Sequence, residues 1–466
     1  MFETVVIGDL VLPDDVLHNG YLAIDAGRIC AVGVGTPPEA GQTIDATGKY
    51  IFPGVIDGQV HAGSAQGISG LADATIAAAA GGVTTIVDMP FDDPHPVNSI
   101  ERMQAKIDVI NQHASVDVAL YATARKGDGT NGLLELADAG ACAYKVSTYE
   151  YHPVRFPGYD TGELYELFPV MAETGLAVAF HNEDPYIVKR LTDRLFSERS
   201  NSASLHGASR PPVAELIANV SVFEIARITG VRCHIVHSSL ARGFDHVKRY
   251  REEGVRVSAE TCIQYLVFDD DDVAQMGAKL KQNPPIRSAT EKAALWEKIV
   301  ADEVDFVSSD HVAWPISKKS NPDFQKNGSG MPGLETMFPA LFTEMGTERG
   351  LQPMQVAALL CERPARHFRL YPRKGTLRPG ADADFVVLNP QSCVFDEANM
   401  SSEVKWSPYH GKNFGGRVES TYVRGRLVFN NGAIVANPGW GQFIRPVNSG
   451  YTSSIRVSEE TEFKFL

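Results

Sequence analysis

Long apolar runs, paired cysteines and basic clusters are all scarce in this chain, and each absence removes a class of function. The most apolar windows, such as IAAAAGGVTTIV, are short, rich in Ala and Gly, and broken by Asp88 and Pro90. A membrane-spanning helix needs about 20 consecutive apolar residues. The six cysteines (Cys30, Cys142, Cys233, Cys262, Cys361 and Cys393) are scattered and form no C-x-x-C pair. That pattern predicts reduced core thiols in a cytoplasm, not a disulfide framework or a thiolate metal knot. Lys and Arg number 43 against 57 Asp and Glu, a formal charge of −14, and no Lys/Arg-rich run offsets it. Such a chain repels phosphate backbones and anionic lipid, so neither nucleic acid nor a membrane is expected as a partner.

What is present is organisation at two scales. At 466 residues the chain exceeds the size at which single cores stop growing, unless one domain is a large α/β barrel. Residues 1–52 alternate short β-type runs (TVVIGDLVL, GYLAIDAGRICAVG) with Gly/Asp turns, and the same texture returns in GTLRPGADADFVVL and RVESTYVRGRLVF. The two ends are therefore expected to build one small composite β-sandwich domain, from residues 1–52 and 373–440.

Between them, over residues 53–372, apolar strands alternate with segments of helical spacing. Eight strands can be counted: YIFPGVID, GVTTIVDM, DVALYAT, CAYKVST, LAVAFHNE, RCHIVHSS, VRVSAETC and VDFVSSDH. Eight βα repeats predict an α/β fold with a (β/α)8 TIM barrel. A doubly wound open sheet is the rival, but no G-x-G-x-x-G follows the first strand. Residues 441–466 form a C-terminal tail, and its Phe443, Phe463 and Phe465, with Trp440 just before it, suit packing on its own subunit or on a neighbour.

In such a barrel, chemistry collects at the C-terminal ends of the strands. Those ends carry Asp57, Gln59 and His61 after the first strand, Lys145 in the fourth, His181 after the fifth, His237 after the sixth and Asp310 after the eighth. A lone histidine at a strand end is usually a hydrogen-bonded structural residue, whereas several at corresponding positions point to a site. Imidazole and carboxylate donors suit Zn, Co, Mn or Ni and imply an open hydrolytic metal site. His234 and His311 sit on the opposite strand faces and read as structural. His95, His152 and His206 fall in loops, where solvated surface is the plainer reading and a substrate contact the sharper one.

The stretches PGVIDGQVH, AGGVTTIVDMP, AYKVST, AFHNED, CHIVHSS, AETCIQYL, KQNPPIR, VSSDHVAWP, GMPGLET and GTLRPGADADFVVLNP resemble, in order, the amidohydrolase superfamily, in its allantoinase, hydantoinase and dihydropyrimidinase branch. The resemblance implies that Lys145 reacts with CO2 to a carbamate that bridges metal ions, that His181 and His237 bind one metal with it, and that His61, Asp310 and the residue at position 59 hold the other. It also implies that Asp310 is the catalytic acid/base. Carbamate formation needs a neutral amine, which burial beside cations supplies.

Where that branch carries a first histidine, this chain has Gln59, whose amide oxygen is a weaker, neutral donor. One firmly held divalent metal (Co, Zn or Mn) on carboxylated Lys145, His181 and His237 is therefore expected, with the second position weak or empty. The stretch AGSAQGISG offers no fixed cation for an anionic substrate. The tyrosine that hydantoinases place five residues beyond the lysine is replaced by Glu150, flanked by Tyr149 and Tyr151. With Asn283, Met331 and Gly333, these two tyrosines are the substrate-binding candidates.

Loss of the first histidine is similar to the divergent phenylurea and thiocarbamate (molinate) hydrolases. The expected function is metal-dependent hydrolysis of a small neutral urea, carbamate or thiocarbamate by a homotetramer or homodimer. A cyclic amidohydrolase, acting on allantoin or a hydantoin, is the alternative. A non-catalytic scaffold is the rival from another class, and the survival of Lys145, His181, His237 and Asp310 argues against it.

Overall fold

Seven of the apolar runs form one parallel sheet in the spatial order Val257–Ala259, Arg232–Ile235, Ala177–His181, Ala143–Ser147, Asp117–Ala122, Val83–Asp88, Val55–Val60. The computed structural model describes residues 1–197 and 202–447. The eighth run supplies Val307–Ser308, which pairs with Thr261–Cys262 on one side. On the other side, His311 bridges Val60 in parallel and its carbonyl accepts from His61 N at 2.9 Å. The sheet thus closes into the expected (β/α)8 barrel. Its strands are buried on both faces, as parallel strands packed between helices and a filled interior must be.

The helices lie where the 3.6-residue spacing puts them. Ile100–His113 starts at Ser99, whose hydroxyl accepts from Arg102 N. Thr161–Thr174 opens on a capping box between Asp160 and Glu163 and stops at Gly175, φ 62°. Pro212–Thr229 has proline in its first turn and stops at Gly230, φ 71°, and Ala289–Val300 starts at Ser288, whose hydroxyl accepts from Glu291 N. Among the described residues, no helix is long and apolar enough to cross a membrane.

The chain ends meet in an eight-stranded sheet. Ala40–Pro53 pairs with Phe2–Val11 in parallel and with Phe385–Asn389 in antiparallel register, so it joins the N-terminal and C-terminal halves of the domain. The two domains are tied by charge. Lys374 Nζ, fully buried, lies 2.5 Å from Asp117 of a barrel strand and 2.9 and 2.6 Å from Asp382 and Asp384 beside the sheet. Asp117 also accepts from Arg424. These three carboxylates are close enough to hold a metal ion, but the ammonium occupies their common centre. Removing one partner from such a buried cluster leaves uncompensated charge, so Lys374→Met should cost about 3–5 kcal/mol. The measurement is the urea unfolding midpoint.

The described part of the C-terminal tail packs on its own subunit. Val118 N donates to Gln442 O and Ile444 N to Val118 O, at 2.9 and 2.8 Å, so this segment lines up against the start of a barrel strand. Trp440 Nε1 donates to Val423 O at 3.0 Å. Phe463 and Phe465 lie outside the described residues.

Candidate active site

The loop after the first strand is pinned before it carries any chemistry. Ala62 N donates to Asp88 Oδ1 at 2.9 Å, and the fully buried Lys106 ammonium lies 2.6 Å from Asp88 and 2.8 Å from Asp92. Gly63 is required here, because a Cβ would sit 1.8 Å from Asp92 Oδ1. This fixes His61, whose Nε2 lies 3.4 Å from Asp310 Oδ1 and whose Nδ1 lies 3.2 Å from Ser64 Oγ.

His61, Lys145, His181, His237 and Asp310 all line one cavity at the C-terminal end of the barrel, together with Tyr151 and Asn283. His181 Nδ1 and His237 Nε2 face each other at 2.9 Å. Two nitrogens bound to one ion at about 2.0–2.1 Å lie about 2.9–3.4 Å apart, so the pair fits a shared metal. His237 and Asp310 adopt left-handed backbone, φ 43° and 49°. Non-glycine residues hold that conformation only where the surroundings enforce it.

Protonation states agree with a metal site. Burial, reinforced by the Lys145 charge, holds His61 well below the usual histidine range, and burial next to His181 does the same for His237. Burial also lowers His181, against the pull of Glu183. All three rings are neutral at pH 7, as metal ligands must be. Burial lowers Lys145 to about 7, against the opposing charges of Asp310 and Glu260, and its Nζ has no hydrogen-bond partner. Burial pushes Asp310 up.

Gln59 is fully buried beneath this cavity. Its Nε2 donates to Asp310 Oδ1 at 2.9 Å and its Oε1 has no partner. Gln282 Nε2 donates to the other oxygen of Asp310 at 2.5 Å. Two neutral amides therefore bracket the carboxylate. Asp57 lies deeper, accepting from the Gln59 and Ser309 amides, and supports the strand end.

The substrate-contact candidates separate. Tyr151 and Asn283 line the cavity, and Asn283 Oδ1 is unpartnered. Tyr149 does not line it: its ring lies under the Arg210 guanidinium, 4.7 Å away, and 6.4 Å from the His181 ring. Met331 is buried in the core, and Gly333 N donates to His311 Nδ1 at 3.2 Å, so neither reaches the cavity. Ser329 and Gly330 form that wall instead. His234 and His311 are structural, as expected: His234 bonds Ser258 and Glu260. His206 departs from the solvated reading. It is buried and its Nε2 donates to Gln282 O at 2.9 Å. His152 Nδ1 accepts from Val154 and Arg155 amides and so shapes the loop over the cavity.

Several contributors were not legible from the sequence. Arg155, in HPVRFPGYD, lines the cavity and donates to Ser64 O at 2.8 Å, so a cation does stand beside the AGSAQGISG stretch. Phe156 from the same loop stacks on Phe91 at 3.8 Å, and Trp314 and Val312 complete an apolar wall. Glu183 bonds His181 Nε2 at 2.9 Å and also accepts from Arg210. Burial raises its pKa, but Arg210 and His181 outweigh that and hold it at about 2. A carboxylate behind a ligating imidazole fixes the ring and its tautomer, so Glu183→Gln should weaken metal affinity about 10–100-fold. Metal titration of the stripped protein measures this.

The comparisons with known proteins agree with this geometry. The model of the "Amidohydrolase family" matches residues 50–428. The allantoinase of Rubrobacter xylanophilus is 37% identical over 96% of this chain and 98% of its own length. The L-hydantoinase of Paenarthrobacter aurescens is 31% identical over 95% and 98%. The solved L-hydantoinase (dihydropyrimidinase) from Arthrobacter aurescens superposes with a TM-score of 0.90 at 30% identity, covering 96% of this chain and all of that one. With that sequence match, that superposition and the catalytic-end cavity together, the chain belongs to the amidohydrolase family and is a hydrolase akin to its allantoinases, hydantoinases and dihydropyrimidinases.

Proposed function

We propose that this enzyme opens a cyclic amide of the hydantoin or allantoin type by hydrolysis of a ring C–N bond. The observation that carries the reading is the convergence of Lys145, His61, His181, His237 and Asp310 on one cavity, in a chain whose full-length relatives are allantoinases and hydantoinases. Amidohydrolase family members use a divalent metal, and the donor set fits one: neutral His181 and His237 with Lys145 as its carbamate at one position, His61, Asp310 and Gln59 at a second, weaker one. Bound there, the ion would supply Lewis-acid polarisation of the carbonyl and a lowered pKa for water.

The chain's own residues do the rest. Asp310, buried and bracketed by two amides, takes a proton from the attacking water and returns it to the departing ring nitrogen. The Phe91/Phe156 stack and Trp314 exclude water from one side. Asn283, Tyr151 and Arg155 offer polar atoms to the ring carbonyls and ureido groups. The enzyme is taken to work as a homotetramer or homodimer, which size-exclusion chromatography with light scattering reads directly.

A second reading, hydrolysis of an acyclic phenylurea or thiocarbamate, is favoured by Gln59 and by the apolar wall. The relatives support the cyclic substrate better. The experiment is a panel of allantoin, hydantoin, dihydrouracil, a phenylurea and a thiocarbamate, with protein loaded with Co, Zn or Mn. A cyclic member is expected to be cleaved with kcat/KM at least about tenfold above either acyclic one. The reverse order would replace this reading with the second.

A further inference from the structure

At the N-terminal ends of the barrel strands, opposite the active site, lies a recess of about 500 Å³. That volume falls within the range of small-molecule sites. It is rich in guanidinium groups: Arg232, Arg251, Arg256, Arg363 and Arg366 line it, in a chain whose formal charge is −14.

The ion pairs leave two of these arginines over. Arg251 Nη2 donates to both oxygens of Asp305, at 2.6 and 2.7 Å. Arg363 pairs with Asp302, and Arg366 with Glu362. Glu303, also on the wall, is taken by Lys248 and Lys298. Among the described residues, Arg232 donates only to Gly175 O at 3.3 Å, and Arg256 only to Gly230 O at 3.5 Å. Among the described residues, the recess carboxylates Asp302, Glu303 and Asp305 pair with other cations and none with Arg232 or Arg256. His367 also lines the recess, and its buried Nε2 has no hydrogen-bond partner.

The positive charges are also crowded. Burial lowers Arg232 to about 10, and the neighbouring Arg369 and Arg256 add to the effect. Like charges held together in a concave wall are what a multiply charged anion relieves. Two guanidinium forks present planar pairs of donors that match carboxylate or phosphate oxygens.

We infer that this recess is a binding site for a small organic polyanion carrying carboxylate or phosphate groups, gripped by Arg232 and Arg256 and separate from the active site. The ligand is not the substrate, because the reacting groups lie at the other ends of the strands.

The test is isothermal titration calorimetry of the full-length, metal-loaded protein at low ionic strength, with succinate and inorganic phosphate as the probes. One probe is expected to bind with a Kd below about 1 mM. The tighter of the two identifies a carboxylate or a phosphate source. Arg232→Gln and Arg256→Gln should each weaken binding at least about tenfold, while Arg417→Gln on the distant sheet should leave it unchanged. Arg256 is exposed, so its replacement preserves the fold, which circular dichroism checks. Failure of both probes to bind, or equal binding by the Arg256→Gln protein, would overturn the site. Because binding is read without turnover, this result stands apart from the substrate panel.

Discussion

Lys145→Ala protein is expected to retain under about a tenth of the parent's metal and to lose about three orders of magnitude in kcat/KM. A thousandfold loss corresponds to about 4 kcal/mol of transition-state stabilisation. The argument starts from burial. An amine with 1% exposure and no hydrogen-bond partner is costly as an ammonium, and with its pKa lowered to about 7 it is substantially neutral at physiological pH. In the proposed site the neutral amine adds CO2, forming an N–C bond and releasing one proton, which would turn a neutral group into an anion beside His181 and His237. Alanine would remove that anion and leave only the two neutral imidazoles at that position. Propionate should restore part of the activity by supplying a carboxylate in the vacated volume. The sign with pH follows from the lowered pKa: below about 7 the amine is protonated and cannot add CO2, so reloading of stripped protein with bicarbonate and metal should slow as pH falls through 7. Metal analysis showing full occupancy in the alanine variant would remove Lys145 from the site.

Gln59→His should raise the metal content from about one ion per chain to about two. Gln59 spends its NH2 group on Asp310 and leaves only an amide oxygen free. A neutral imidazole at that position, beside His61 and Asp310, would complete a second set of strong donors. The gain in affinity at the second position should be at least about tenfold, measured by inductively coupled plasma mass spectrometry after dialysis against limiting metal. A ratio that stays at one would mean that Gln282, which grips the other oxygen of Asp310, holds the carboxylate away from a second ion. The double substitution with Gln282→Leu tests that directly.

The barrel and the cluster of strand-end residues that share the cavity were open to sequence reasoning because both are periodic. Strand, turn and helix recur eight times, and the polar residues at five of the strand ends stand out against apolar neighbours. The residues that shape the cavity are not periodic. Tyr149 and Tyr151 are equivalent in sequence, yet one packs under Arg210 and the other lines the cavity, because the loop is set by His152 accepting from two backbone amides. Arg155 and Phe156 come from that same loop and gave no pattern to read. Met331 and Gly333 sit next to the true wall, Ser329 and Gly330, a shift that only the irregular chain after Trp314 decides. Glu183 and Arg210 are 27 residues apart and meet through tertiary packing alone.

The segment around Gln442 to Ile444 has a consequence for how this protein is made. Val118, near the start of the third barrel strand, finds its backbone partners 324 and 326 positions downstream. Ala40–Pro53 likewise waits for Phe385–Asn389. Contacts of such long sequence separation form slowly, and a ribosome adding about 5–20 residues per second needs at least about 15 seconds to deliver them. The emerging chain must spend that interval with strand edges uncovered, so chaperone dependence should fall sharply once the last fifth of the polypeptide has left the exit tunnel.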